Sequence, residues 1–296
     1  MPITPKQLEA RKHHIGASDS PAIMGFDPFK SAADVFISKV YDTEQNDKPN
    51  QAIQIGNRLE DSLIDWASDK LGIKFRKNIG RVSKEEPIFS ATPDAQEFYG
   101  KPIGLEAKTS GITNPAFDSS EWGEDGTDKV PNKVIIQVQH QMFVAELEKV
   151  YVPALIGGRG MLIFEIDRNE TIIAAIKEAG LAFWQNNVLL EHRPDDVTPK
   201  LEMLKSIYRD PTSSVELYKP NQAVIVQQWL EAKTEFNAAK KIRDLAQADV
   251  INLLEDTEAG LFMDGSMLTY YESDRKGYTV KPTKSRTLRY KKGTED

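Results

Sequence analysis

The sequence predicts an α/β fold in which helices pack on one twisted sheet, and three observations lead to that prediction. Apolar residues recur every three to four positions in several segments, a pattern typical of helices with one buried face. Between residues 73 and 108, and again after residue 150, the pattern changes to one typical of strands. Both kinds of segment occur along the 296 residues, a length that fits one large domain with or without an appendage.

The first part of the chain is predicted to hold three helices and a group of strands. Ser18 and Asp19 are N-cap residues for a short helix, which Gly25 stops. Two longer helices follow, separated by a polar loop at 42–51; they cover 31–41 and 56–71. Strands are then expected within 74–82, 88–93 and 101–109.

The second part begins with a long loop over 109–132 and continues with alternating helices and strands. The patterns predict helices at 133–147 and 170–191, and two strands at 151–158 and 161–167 joined by a glycine-rich turn. Four prolines between residues 194 and 220 then punctuate the chain. We therefore predict a core domain over 1–195 and an extension over 196–296, with a long helix at 221–256 and a β-hairpin that ends in a basic tail.

Composition restricts the kinds of site that the chain can build. It has no cysteine, so disulfides, thiolate metal sites and thiol nucleophiles are excluded, and only four histidines are present. A metal would therefore be held mainly by carboxylate and carbonyl oxygens, which points to Mg²⁺ or Mn²⁺. The net charge of −7 argues against coating nucleic acid by bulk attraction, although a local basic patch remains compatible with it. With no long apolar run and no apolar leader, a cytoplasmic protein with no membrane contact is expected.

The central chemical feature is the pair of motifs SATPD at 90–94 and GLEAKT at 104–109. Alternation along a strand puts Glu106 and Lys108 on one face, and a short turn through Gly100 lets their strand run back beside Asp94. Paired carboxylates can hold one or two Mg²⁺ ions and activate water for phosphodiester hydrolysis. A lysine beside them can orient the water and stabilise the developing oxyanion. The alternative is a surface cluster of ion pairs on a hairpin.

Glu60 supplies a third carboxylate on the helix at 56–71. It lies at the border of the apolar face, where a charge is costly unless it is paired or binds a metal. We therefore assign it as a candidate metal ligand beside Asp94 and Glu106; the alternative is a side chain that extends into solvent.

Four blocks of sequence, in order, resemble one family: RKHHIGASDSPAIMG, GNRLED, SATPD with GLEAKT, and QVQHQM followed by YVPALIGG. Together they resemble the phage lambda-type alkaline exonucleases, or YqaJ-like viral recombinases, of the PD-(D/E)xK superfamily. The resemblance covers roughly residues 11–167 and implies a restriction-endonuclease-like core. It implies a metal-dependent exonuclease that digests linear double-stranded DNA, 5′→3′, in phage-type recombination.

The resemblance assigns roles to individual residues. Asp94, Glu106 and Lys108 match the catalytic set, and Glu60 matches the acidic residue on a helix near the metal. Gln137 matches a glutamine that helps to position the site. Two secondary candidates lie nearby in the sequence. Gln141 follows Gln137 by one helical turn, and His140 is the other. An ordinary polar position on a helix is the alternative for all three residues.

The first block contributes a second group of candidates. Arg11 and Ser18 match a basic residue and a hydroxyl that hold the DNA 5′-phosphate in this family, and Thr92 is expected to assist them. An arginine fork and hydroxyl donors suit phosphate binding, and a hook for a terminal 5′-phosphate favours digestion from duplex ends. The resemblance also implies a single-strand annealing protein as partner and a homo-oligomer, for which a ring is one form.

Two other functions stay open. A structure-specific endonuclease would share the metal site but need no free end, and a non-catalytic DNA-binding or assembly protein would keep only the fold.

The segment 275–292 has eight Lys or Arg and no acidic residue, which suits either contact with nucleic acid or a hairpin kept soluble by lysines. The helix at 221–256 is a self-association element, a DNA clamp or a packing arm.

Overall fold

The computed structural model describes residues 11–41, 51–77, 80–114, 117–194, 201, 204, 205, 208 and 220–271. The chain divides into two compact units, Met1–Tyr208 and Arg209–Asp296. The boundary predicted from the prolines, after residue 195, stays a prediction. The predicted basic tail at 275–292 and most of the predicted loop at 42–51 lie outside the described residues.

The first unit begins with short elements and one long helix. Their bounds are β1 Ile15–Gly16, α1 Ser20–Ile23, α2 Ala32–Val40, α3 Gln51–Leu71, β2 Phe75–Lys77, β3 Arg81–Val82, β4 Phe89–Ala91, β5 Ala95–Glu97, β6 Ile103–Leu105 and β7 Lys108–Ser110. Its remaining elements are α4 Asn132–Ala145, β8 Lys149–Ile156, β9 Gly160–Asp167 and α5 Glu170–Phe183, and a π-helical turn at Trp184–Val188 ends this last helix.

The main sheet is mixed, with the order β2-β5-β6-β8-β7, and β9 pairs with β8. β6 and β7 run parallel to β8, whereas the β2–β5, β5–β6 and β8–β9 pairs are antiparallel. The predicted α/β architecture, a mixed sheet flanked by helices with a helical and hairpin extension, is therefore confirmed.

A second, three-stranded sheet has the order β1-β4-β3, so the prediction of one sheet was wrong. The chain passes from β4 in this sheet to β5 in the main sheet through Thr92, Pro93 and Asp94. Pro93 has no N–H and cannot extend a ladder, which explains why the two strands separate there. The segment that carries the motif aspartate therefore joins two sheets.

Helix α4 lies in the middle of the unit, and ten of its 14 residues are buried. Val134, Val138 and Met142 pack on the main sheet, while Ile136 and Phe143 join the cluster that includes β1, β4 and α5. A helix that is apolar on several sides must be covered on several sides. Polar residues on such a helix therefore need partners within the protein.

Helix α3 covers the opposite face of the main sheet, where Ile64 and Ala67 pack with Ala95, Leu105 and Ile163. Because side chains alternate along a strand, the neighbours of Ala95 and Leu105 point toward α4. Gly104 allows this approach, since a Cβ there would lie 2.7 Å from a methyl carbon of Leu147. The two helices thus enclose the strands that carry the catalytic candidates.

The helices agree with the predictions except at their ends. α3 begins at Gln51 rather than at residue 56, so Gly56 lies within the helix. A Cβ at this position would lie 3.3 Å from the hydroxyl oxygen of Thr109, a close contact that glycine avoids. Helix α5 gives way to a π-helical turn instead of continuing to residue 191. Ser18 precedes the short helix α1 without capping it, and the Asp19 side chain makes no capping hydrogen bond.

The second unit contains α6, Pro220–Leu254, followed by the strands β10, Ala259–Leu261, and β11, Met267–Thr269. The two strands form an antiparallel hairpin whose turn contains Gly265 at φ 84°. Within the part of the chain that is described, no helix combines the length and apolar character needed to cross a membrane.

Candidate active site

Glu106 and Lys108 lie on a strand that is interrupted between them. β6 and β7 pair with β8 in one register, with Leu105 opposite Tyr151 and Lys108 opposite Ala154. At the interruption the Ala107 N–H donates a hydrogen bond of 2.8 Å to Oδ2 of Asp94 instead of joining the ladder. Because no residue is inserted, alternation is preserved, and Lys108 Nζ lies 2.6 Å from Glu106 Oε1.

Asp94 reaches this strand because β5 and β6 form a hairpin through Gly100, whose φ is 92°. In this antiparallel pair Ala95 lies opposite Leu105. Asp94 precedes Ala95 and Glu106 follows Leu105, so the two carboxylate residues are neighbours across the pair. Burial raises the pKa of Asp94, and the negative charge of Glu106 raises it further, while Lys108 and the Ala107 N–H lower it. The two carboxylates are therefore close enough for the charge of Glu106 to oppose the ionisation of Asp94.

Two glutamines of α4 hold the Glu106 carboxylate. Gln137 Nε2 donates to Oε1 at 2.6 Å, and Gln141 Nε2 donates to Oε2 at 2.7 Å. With Lys108, Glu106 accepts three hydrogen bonds while its residue is only 4% exposed. Its orientation is thus fixed from two elements, and Gln141 reaches it as directly as Gln137.

Gln141 also carries a buried acceptor without a donor. Its Oε1 has no hydrogen-bond partner among the residues that the structure describes. Buried amide oxygens of this kind are normally satisfied by water or a ligand. A water or hydrated ion beside Glu106 would meet this need.

Glu60 lies at the margin of the site. Its side chain is 28% exposed, and Oε1 is 3.9 Å from Lys77 Nζ, which lies 2.5 Å from Asp61. The charge of Glu60 still contributes to the raised pKa of Asp94. In the described part of the chain, no three His, Cys, Asp or Glu side chains are grouped closely enough to hold a metal. The structure therefore brings Asp94 and Glu106 together and leaves Glu60 beside them.

Ser18 and Thr92 follow two different strands that pair with each other, and they occupy equivalent positions after those strands. β1 runs parallel to β4 with Gly16 opposite Ser90, and each of the two exposed hydroxyl residues comes two positions later. Arg11 is exposed, and its carbonyl oxygen accepts a hydrogen bond of 2.8 Å from Lys39 Nζ. The three candidates for phosphate binding thus belong to adjoining segments.

A buried ion cluster that the sequence did not reveal connects these segments. Asp19 Oδ2 pairs with Lys39 at 2.7 Å, and Oδ1 pairs with Lys30 at 2.6 Å. Burial alone raises the pKa of Asp19, but the two ammonium groups hold it well below its ordinary value. Lys39 therefore joins Asp19, next to Ser18, to the backbone of Arg11.

His140 directs both ring nitrogens to groups other than the carboxylates of Asp94 and Glu106. It is 0% exposed, and its Nε2 lies 3.0 Å from the carbonyl oxygen of Ser90, which can only accept. Nδ1 therefore accepts the hydrogen bond of 2.7 Å from the Ser20 hydroxyl. Because burial lowers the pKa of His140 to about 4, its ring is neutral at physiological pH and links α4 to α1 and β4.

Comparison with known proteins gives one family match. Residues 6–148 match the YqaJ-like viral recombinase domain. The uncharacterized protein YqaJ of Bacillus subtilis (strain 168) is 26% identical over 259 residues, which are 86% of this chain and 79% of that protein.

Solved structures are also similar, and two of them are exonucleases. The alkaline exonuclease LHK-Exo of Laribacter hongkongensis is 18% identical and covers 64% of this chain and 94% of its own, with a TM-score of 0.48. A phage-related exonuclease of Haemophilus somnus 129PT is 17% identical and covers 60% of this chain and 95% of its own, with a TM-score of 0.44.

Proposed function

We propose that this chain, whose residues 6–148 match the YqaJ-like viral recombinase domain, is a metal-dependent DNA nuclease with its catalytic centre at Asp94, Glu106 and Lys108. The observation that carries the proposal is the Glu106 carboxylate, which Lys108, Gln137 and Gln141 hold opposite Asp94. A buried carboxylate with three donors beside a second carboxylate is costly to build. Phosphodiester hydrolysis gives such a cluster a use.

The residues fit a divalent cation. Asp94 and Glu106 offer oxygen ligands, as Mg²⁺ and Mn²⁺ prefer, and Gln141 Oε1 offers an unpartnered acceptor beside them. Burial raises the pKa of Asp94 most, and a cation would offset the repulsion from Glu106 that raises it further. Asp94 and Glu106 would hold it, with Glu60 as a further ligand. There it would supply charge neutralisation at the phosphate and activation of water.

The protein's own groups have separate roles in this proposal. Lys108 donates to the attacking water or to the developing negative charge on the phosphate oxygens. Gln137 and Gln141 keep the Glu106 carboxylate in one orientation, and the Ala107 N–H does the same for Asp94.

Replacing Asp94 by asparagine is expected to raise the melting temperature in EDTA at pH 8. The folded-state pKa of Asp94 is raised above its ordinary value of 3.8, so its contribution to stability falls as the pH rises above that value. Asparagine removes the repulsion and keeps an oxygen for the Ala107 N–H. Thermal unfolding from pH 5 to pH 9 measures the difference, which should grow with pH.

Mg²⁺ is then expected to stabilise the wild type and not the Asp94→Asn variant. A cation at one hundred times its dissociation constant adds about 2.7 kcal/mol to the free energy of unfolding. Equal Mg²⁺-induced shifts in the two proteins would contradict a metal site at Asp94.

We further propose that the substrate is linear double-stranded DNA, digested 5′→3′ in phage-type recombination. Arg11, Ser18 and Thr92 would hold the terminal 5′-phosphate, and the two lysines at Asp19 make this region rich in positive charge. A single-strand annealing protein as partner and a ring-shaped homo-oligomer belong to the same proposal.

Linear duplex with a 5′-phosphate is expected to be digested faster than the same duplex with a 5′-hydroxyl. The preference should shrink in Arg11→Ala, because the guanidinium fork is the strongest phosphate donor among the three candidates. Release of label from the 5′ end with Mg²⁺ measures both rates. Equal rates on the two ends would contradict the phosphate hook, and cutting of closed circles would favour an endonuclease.

A further inference from the structure

Lys133 lies on the face of α4 that addresses the catalytic carboxylate. Lys133, Gln137 and Gln141 are spaced by four residues, so their side chains share one side of the helix. Both glutamines donate to Glu106, which fixes the direction of that side. Lys133 therefore stands one helical turn, about 6 Å along the axis, beyond Gln137.

The ammonium of Lys133 lies 4.7 Å above the ring centroid of Phe29. No carboxylate forms an ion pair with it among the residues that the structure describes, although Asp27 and Glu121 act on it at longer range. Burial is the main cause that lowers its pKa, and the charge of Lys108 lowers it further. Lys133 is thus an unpaired cation within electrostatic reach of the catalytic lysine.

Phe29 is an exposed ring on a fixed loop. It is 67% exposed, yet its N–H donates a hydrogen bond of 2.8 Å to Asp27 Oδ1, and the next residue, Lys30, is anchored on Asp19. An exposed aromatic ring suits the stacking of a flat ligand, and a cation beside it suits a phosphate. Phe29 thus lies between Lys30, its neighbour in the sequence, and Lys133, whose ammonium contacts its ring.

We propose that Phe29 and Lys133 form a subsite for the DNA strand next to the catalytic centre, where Lys133 binds a backbone phosphate and Phe29 stacks on a base. This inference rests on the proposed nuclease function for the identity of the ligand. It adds a contact that positions the nucleotide adjoining the scissile phosphate.

The test is binding of a 5′-phosphorylated duplex oligonucleotide, with 2-aminopurine at its end, to the full chain in Ca²⁺. Lys133→Met is expected to weaken binding about fivefold or more and to reduce the slope of log affinity against log salt by about one. Phe29→Ala is expected to weaken binding about tenfold and to remove the change in 2-aminopurine fluorescence. Lys133→Arg should restore the salt slope, because it keeps the charge.

Lys129→Met is the matched control, since Lys129 is exposed just before α4 and lies over no aromatic ring in the described part of the chain. Its affinity and salt slope should equal those of the wild type. The subsite is overturned if Lys133→Met and Phe29→Ala both bind as Lys129→Met does while the wild type binds and cleaves DNA. A wild type that binds DNA but cleaves none with any metal would instead overturn the nuclease proposal alone.

Discussion

Replacing Glu106 by glutamine is expected to lower kcat by about 10³-fold or more, which is a rise of at least about 4 kcal/mol in the activation barrier. Glu106 accepts hydrogen bonds from Lys108, Gln137 and Gln141, all of which are donors at this point. In glutamine an amide NH₂ replaces one carboxylate oxygen, so a donor would face another donor from Lys108, Gln137 or Gln141. The negative charge that attracts the cation would also be lost. Single-turnover hydrolysis of linear duplex with Mg²⁺ measures the effect on chemistry.

Glu97→Gln is the control for this experiment. Glu97 belongs to the adjoining strand β5 and is as buried as Glu106, at 4% exposed, and its Oε2 accepts from the Lys101 N–H at 2.9 Å. Glutamine keeps an oxygen for that bond, so kcat should stay within about twofold. If both variants lost activity alike, or if Glu106→Gln kept wild-type kcat, Glu106 would not be part of the catalytic centre.

Replacing Lys39 by methionine is expected to lower the free energy of unfolding by about 3 kcal/mol. Lys39 has a side chain only 3% exposed, and it binds both Asp19 and the carbonyl oxygen of Arg11. Methionine fills similar space but leaves the buried Asp19 charge with Lys30 alone, and Lys30 is 33% exposed. Urea denaturation measures the loss.

The pH dependence identifies Asp19 as the origin of this loss. Because the folded-state pKa of Asp19 is lowered, the stability that its ionised form contributes is present above the ordinary pKa of 3.8 and is lost as the pH falls below it. The wild type should therefore exceed Asp19→Asn in stability at pH 7, and the difference should shrink below about pH 4.

Lys84→Met serves as the comparison for Lys39→Met. Lys84 also forms an ion pair, at 2.9 Å to Glu146, but the two side chains are 82% and 64% exposed. Surface pairs of this kind contribute little, so no measurable change is expected. Equal losses in Lys39→Met and Lys84→Met would contradict the buried role of the Asp19 cluster.

The geometry of the carboxylate cluster was predictable because it depends on local periodicity. Alternation predicted that Glu106 and Lys108 share a face, and the structure agrees although the ladder is interrupted at Ala107, since the register on β8 is kept. Helical spacing likewise predicted that Gln141 would join Gln137. Spacing of four also relates Lys133 to these residues, a signal that was present in the sequence and was overlooked.

Other features were not predictable because they depend on contacts between distant segments. The parallel pairing of β1 with β4 involves two residues, too few to show any period. Asp19 looks like an N-cap in the sequence, but its partners Lys30 and Lys39 come from other elements that only the tertiary structure brings together. The same holds for His140, whose two partners precede it by 120 and 50 residues.

The most direct test of the account is the incubation of the purified full chain with linear and closed-circular duplex DNA, with Mg²⁺ and with EDTA. We expect linear DNA to be lost only with Mg²⁺, closed circles to survive, and Glu106→Gln to leave both intact. No hydrolysis of either substrate with Mg²⁺ or Mn²⁺, or equal hydrolysis in EDTA, would contradict a metal-dependent nuclease centre at Asp94, Glu106 and Lys108.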